Sequence, residues 1–181
     1  MKKQLQVGDN APSIQAIDLW GNAISIPAKD KWFFLSFHRF AACPFCNLRI
    51  NELIQHYEQF EKNNVEIVTI WPSDEEFLLR YAGSEQSPFP MLSDRKKGIY
   101  KAYGVTESSI SGAMRLMLHP ILIFKAIKNK HKNITIDADP NLMPDSFLID
   151  TKGRIKMAYY GKHFGDHPKI ESILSLAKNK L

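Results

Sequence analysis

Apolar and polar residues alternate through "SIQAIDLWGNAISI" (Ser13 to Ile26) on either side of Gly21-Asn22, and a period of two around such a dipeptide predicts a β-hairpin. "WFFLSF" (Trp32 to Phe37) is instead a short unbroken apolar run, the pattern of a strand buried on both faces. From Pro44 to Asn63 the period lengthens: Ile50, Leu53, Ile54, Tyr57 and Phe60 fall at helical spacing with charges between them. "VEIVTIW" (Val65 to Trp71) repeats the buried-strand pattern. Ser73 and Asp74 ahead of Glu75-Glu76 then predict a helix start, since caps and acids suit the positive end of the helix dipole. "DRKKGIYKAYGV" predicts a further helix ending near Gly104, and "DSFLID" and "RIKMAYY" flank Thr151-Lys152-Gly153 as strand, turn and strand. Pro168 opens a terminal helix to Lys180 whose apolar face is Ile170, Ile173, Leu174 and Ala177.

The order is therefore hairpin, β, α, β, α, a long insert, β, β, α. Such alternation predicts an α/β fold, a central sheet with helices on both faces and an antiparallel edge from the terminal hairpin. Ligands of such sheets gather at the carboxyl ends of the strands. No repeat or low-complexity tract divides the 181 residues, so a single domain over 1–181 is expected, with a helical insertion at 107–139. The heart of that insertion, Ile110 to Asn133, is strongly apolar, and Pro120 is expected to kink or split any helix in it. Met114, Met117 and Leu118 would line a groove there. The insertion would serve as extra core covering, as a dimer or partner surface, or as an interfacial membrane contact flanked by Lys125 to Lys132; covering or homodimer contact is favoured, because the apolar patch would otherwise be exposed.

Charge changes this picture little. The chain carries a net +5, and residues 95–132 hold nine Lys/Arg against Glu107, a local +8 that leaves −3 for the rest. That patch reads as a solvated face around the insertion, and no nucleic-acid motif accompanies it. The start, "MKKQLQVGDNAPS", lacks the apolar stretch of a signal peptide, and no run reaches the roughly 18 apolar residues of a membrane span, so a cytoplasmic protein is expected.

The two cysteines, Cys43 and Cys46, stand in "SFHRFAACPFCNLR" at the carboxyl end of the first buried run. A spacing of three is close to one helical turn, so both sulfurs would share a face. Cys43 would sit at the helix N-terminus, where unpaired N–H groups favour a thiolate and lower its pKa to ~3.5–7.5, with Pro44 suited to the first helical position. Cys46 lies further in and is expected to be the less exposed. Cys43 would then attack, and Cys46 would close a reversible disulfide. Other readings of the pair are two inert core cysteines, zinc, which usually needs four ligands when only His38 is near, and copper with His163 or His167 brought in by the fold. No metal or cofactor is expected.

"VGDNAPSI", "FFLSFHRFAACPFCNLRINEL", "FPMLSDRKKGIYKAYGV" and "MPDSFLIDTKGRIKMAYYGKHFGDHP", in this order between residues 7 and 168, resemble the AhpC/TSA group of the thioredoxin superfamily, in its peroxiredoxin-like, CPxC-containing branch. The resemblance implies a thioredoxin-like fold and thiol-dependent reduction of hydroperoxides or disulfides. The family's attacking cysteine maps onto Cys43 and the second cysteine of its CPxC variants onto Cys46. This chain departs from typical peroxiredoxins at Phe40, where they carry Thr or Ser, at Ser36, where they carry Pro, and at Pro144, which replaces an arginine. Pro144 instead resembles the cis-proline beside the thioredoxin CxxC. Arg39, four residues before Cys43, is the candidate to lower the thiol pKa or hold a peroxide oxygen. His38 is either a proton donor or a packed histidine, and "GKHFGDHP", with Lys162, His163, Asp166 and His167, is either a cap on the site or a polar turn. The resulting expectations are a thiol peroxidase reduced by thioredoxin, glutaredoxin or a small thiol; a thiol–disulfide oxidoreductase acting on proteins; or a non-catalytic redox sensor.

Overall fold

The computed structural model describes residues 4–82, 87–105, 107, 116–128 and 135–178. The first alternating stretch forms β1 (Ile14–Ile17) and β2 (Ala23–Ile26), an antiparallel pair that is a small sheet of its own. Asp18 closes its turn by accepting the N–H groups of Trp20 and Asn22 at 3.0 and 2.7 Å. The two unbroken apolar runs become β3 (Trp32–Phe37) and β4 (Val65–Trp71), parallel neighbours at the centre of a five-stranded sheet. β5 (Met91–Ser93) extends the sheet in parallel beyond β4, while β6 (Ser146–Ile149) and β7 (Ile155–Tyr159) extend it in antiparallel fashion beyond β3, giving the order β5-β4-β3-β6-β7.

Both faces of β3 and β4 are covered, which is why neither strand alternates in sequence. On one face Phe34, Ile67 and Leu148 pack beneath α1 (Pro44–Gln55), α2 (Tyr57–Lys62) and the last helix, α6 (Ile170–Lys178). On the other, Phe33, Leu35, Phe37 and Ile70 meet Ile14, Ile24 and Ile26 of the hairpin and Tyr100 and Tyr103 of α4 (Gly98–Tyr103). The short α3 (Glu75–Arg80) follows β4. A mixed sheet between helices is the thioredoxin-like α/β arrangement expected from the sequence.

Two local expectations are corrected. The helix from Pro44 ends at His56, whose backbone N–H (3.2 Å) and imidazole Nδ1 (2.8 Å) both meet the Glu52 carbonyl, and the chain restarts as α2. Ile54, counted into the apolar stripe, faces solvent. Pro120 opens α5 (Pro120–Lys128), at the first-turn position where its missing N–H costs nothing, after a non-helical break at 117–119 that follows the helical Leu116. Leu122 of α5 reaches Gly165, close to Phe45 of α1, whereas Met117, Leu118, Ile121, Phe124 and Ile127 stay exposed. Met114 lies outside the described residues. Among those residues no helix is long and apolar enough to cross a membrane.

Candidate active site

β3 delivers its last residue, Phe37, to the sheet's carboxyl edge, and the next six residues form a short loop before α1. Its backbone is tied on every side. The N–H of His38 donates to Ile70 O (3.0 Å), that of Ala41 to Ser73 Oγ (2.9 Å), and that of Cys43 to Phe40 O (3.1 Å). The Asn47 amide donates to both Ala41 O and Cys43 O, each at 3.0 Å. Cys43 is the residue that caps α1, with extended backbone (φ −65°, ψ 118°) and Pro44 just inside. Cys46 follows one turn later, and both thiols are free.

The two sulfurs differ in acidity. Burial pushes the Cys43 thiol up, but the Cys46 thiol hydrogen bond, the Arg39 charge and the backbone N–H groups of Cys46 and Phe45 outweigh it and bring it down to about 7. Burial pushes Cys46 well up, and its bond to Cys43 and the negative charge there push it further. Arg39 Nη1 lies 3.5 Å from Cys43 Sγ, and the Arg39 N–H donates to Cys46 Sγ at 3.4 Å.

Arg39 is itself immobilised. Nε donates to Leu142 O at 3.0 Å, Nη2 donates to Pro140 O, and the guanidinium lies 3.6 Å from the centre of the Phe164 ring. The expectation that Cys46 would be the less exposed of the two is corrected here, since Cys43 and Cys46 are both 0 % exposed. Arg39 and Phe164 form part of that cover. Replacing Phe164 by alanine removes a cation–π contact of ~0.5–2 kcal/mol, so alkylation of Cys43 by iodoacetamide is expected to accelerate about 2- to 30-fold. An unchanged rate would show that the ring does not gate the thiol.

The remaining predicted residues are placed as follows. The Met143–Pro144 bond is trans; among the described residues the cis bond is Ile26–Pro27. Pro144 is buried and packs on Gly161, where a Cβ would come within 2.7 Å of Pro144 O. Gly161 thus starts the 162–167 loop hard against Pro144. Asp166 holds that loop, accepting Tyr159 Oη–H at 2.6 Å and Lys162 N–H at 2.8 Å. His163 is buried and its ring lies 4.4 Å from that of His119, while Lys162 is exposed. His38 is fully buried and stacked on Trp71, ring centres 4.1 Å apart. Among the described residues no three His, Cys, Asp or Glu side chains gather as a metal site. Phe164 and Asn47 are not singled out by the sequence reading. Asn47 carries the one available signal, a position four residues after Cys43 on the same helical face.

The AhpC/TSA family model matches residues 7–158. No curated protein matches the chain. Among solved structures, the peroxidoxin BcpB of Mycobacterium tuberculosis superposes with a TM-score of 0.71 at 15 % identity, over 98 % of this chain and 99 % of that one. A mutant of peroxiredoxin 6 of Arenicola marina gives 0.67 at 14 % identity, over 96 % and 72 %. Reduced 2-Cys peroxiredoxin of Plasmodium vivax gives 0.67 at 18 % identity, over 95 % and 80 %. At these identities the structural likenesses establish the fold, while the family match spans most of the chain. The protein therefore belongs to the AhpC/TSA family and is an oxidoreductase that works through thiols.

Proposed function

We propose that the protein is a thiol peroxidase in which Cys43 is the nucleophile and Cys46 resolves it. The observation that carries this reading is the split between two adjacent thiols: Cys43 drawn down to about 7 beside Arg39, Cys46 pushed well up. The Cys43 thiolate attacks one oxygen of a hydroperoxide and the O–O bond breaks. Cys43 becomes a sulfenic acid, and the other oxygen leaves as an alcohol or water after taking a proton. Arg39 is oriented to stabilise the charge that develops on those oxygens. The Cys46 sulfur then displaces the sulfenic hydroxyl, which leaves as water with the Cys46 proton, and a disulfide closes. A dithiol reductant, thioredoxin or glutaredoxin, or two small thiols, would return both cysteines to thiols.

Burial favours a hydroperoxide over a protein disulfide, because a small molecule reaches a covered sulfur after a smaller opening. Pro144 has no cis bond to offer an extended protein substrate, and its packing against Gly161 supports a role in setting the 162–167 loop. We also take residues 1–181 as one domain with an insertion at 107–139, whose exposed Ile121, Phe124 and Ile127 support contact between two copies.

Stopped-flow oxidation by hydrogen peroxide tests the proposal. Saturable loss of the Cys43 thiol followed by a disulfide is expected. In Cys46→Ser the sulfenic acid is expected to accumulate and to be captured by dimedone, with the first step retained. Slow reaction with peroxide together with rapid reduction of insulin disulfides would transfer the assignment to a thiol–disulfide oxidoreductase.

A further inference from the structure

Helix α5 takes no part in the chemistry proposed for Cys43, yet its inner face meets the loop that covers that thiol. On this face Ala126 is buried and Leu122, one turn earlier, is partly buried, whereas Ile121, Phe124 and Ile127 point outward. The helix packs on α1, which Cys43 caps. Leu122 closes so tightly on Gly165 that a Cβ there would come within 2.7 Å of Leu122 Cδ2 and 3.1 Å of Phe45 Cδ1. Gly165 lies outside the left-handed region, so this position excludes volume and not a backbone conformation. A second contact runs beside the first. His119, exposed just ahead of α5, sets its ring 4.4 Å from that of buried His163.

His163 and Gly165 are the two neighbours of Phe164, whose ring centre lies 3.6 Å from the Arg39 guanidinium carbon. Arg39 Nη1 in turn lies 3.5 Å from Cys43 Sγ. The ends of the same loop are tied elsewhere: Gly161 N–H donates to Asp145 Oδ1 at 3.0 Å, and the Asp166 carboxylate accepts from Tyr159 and from Lys162 N–H. The side-chain contacts at its tip, 163–165, are therefore the ones that α5 supplies. Cys43 is fully buried, so any reagent must displace some of this cover. A small reagent needs a swing of the Phe164 ring. A bulky one needs the tip and α5 to separate.

We propose that α5 is a size gate on Cys43, in which Leu122 and His119 are positioning residues that hold the 163–165 tip closed and Gly165 is the residue that lets it close. Small hydroperoxides pass beneath the closed tip, and bulky organic hydroperoxides are held back by it. What concerns hydroperoxides rests on the peroxidase reading, whereas the control of access to the sulfur does not.

Alkylation of Cys43, located by peptide mass mapping, measures access without turnover. Rates with iodoacetamide and with fluorescein maleimide are compared in the full chain. Leu122→Ala shortens the latch and Gly165→Ala wedges it outward. Although one removes volume and the other adds it, both are expected to speed the maleimide about tenfold or more and iodoacetamide about threefold at most. His119→Ala should act in the same direction to a smaller extent. Ile121→Ala, on the outer face of the same helix at 74 % exposure, should react as the parent does. The acceleration should be the same between about pH 6 and 9, because Arg39 keeps its anchors on the Leu142 and Pro140 carbonyls and the thiol keeps its acidity. A shifted midpoint would assign the effect to acidity and refute the gate. So would equal acceleration of both reagents, or parent-like rates in Leu122→Ala and Gly165→Ala proteins whose circular dichroism matches the parent. The preference for cumene hydroperoxide over hydrogen peroxide should rise with the maleimide rate. If the alkylation selectivity shifts while neither peroxide reacts, the gate stands and the peroxidase reading falls.

Discussion

Arg39→Met is expected to slow oxidation of Cys43 by hydrogen peroxide on the order of 10²- to 10³-fold at pH 7. Two effects combine. With Cys43 brought down to about 7, close to half of it is thiolate at neutral pH. Removing a cation 3.5 Å from the sulfur raises the pKa by roughly one to two units and leaves about 1–10 % as thiolate. Loss of a charged donor to the peroxide oxygens accounts for a further tenfold or more. The pH–rate profile separates the two. The thiolate fraction grows as pH rises, so the first deficit should disappear by about pH 9.5 while the second persists. Arg39→Lys should recover part of the pKa effect but little of the second, because a lysine cannot donate to two carbonyls and the sulfur in one plane. A variant whose profile keeps its midpoint near 7 would remove Arg39 from the proposed mechanism.

Acid should destabilise the protein well before its carboxylates titrate. Burial, and then the Arg49 charge, lower His38 to about 3, and His167 is displaced in the same direction for the same first reason. In the unfolded chain both return to about 6.5. Below that value the unfolded state takes up protons that the folded state refuses, so stability is complete above pH 6.5 and is lost progressively as pH falls toward 3. For His38 alone the loss between pH 7 and pH 5 is about 2 kcal/mol, and His167 adds to it. Urea unfolding at the two pH values measures this. His38→Phe keeps a ring against Trp71 and should remove about 2 kcal/mol of the pH dependence. If parent and variant lose the same amount, His38 is not the proton-refusing group.

The fold was legible wherever burial was periodic or continuous. The unbroken runs at Trp32–Phe37 and Val65–Trp71 became the central strands because both faces are covered, and the i, i+3 face of Ile170, Ile173, Leu174 and Ala177 became the last helix. Legibility ended where a decisive contact joins distant residues. Arg49 sits among helical charges and reads as solvent-facing, yet it is buried over Phe34. Phe164 stands in a polar stretch, and nothing in "GKHFGDHP" says that its ring would lie on a guanidinium 125 positions earlier in the chain. The break at His56 is a local change of backbone (φ −107°, ψ 5°) between α1 and α2, which hydrophobic spacing does not register. Cys43 was correctly placed at a helix start, but its cover comes from elsewhere in the chain, so its concealment could not be seen locally.

The anchors of Arg39, the carbonyls of Pro140 and Leu142, stand 101 and 103 residues further along the chain. During synthesis the CxxC segment therefore leaves the ribosome long before the groups that seat the guanidinium beside it. Its thiol can draw on Cys46 and the helix backbone early, but it gains the Arg39 share of its acidity only when the carboxyl-terminal third docks. Full reactivity is thus withheld from the nascent chain, which lessens the exposure of an unfinished polypeptide to oxidation.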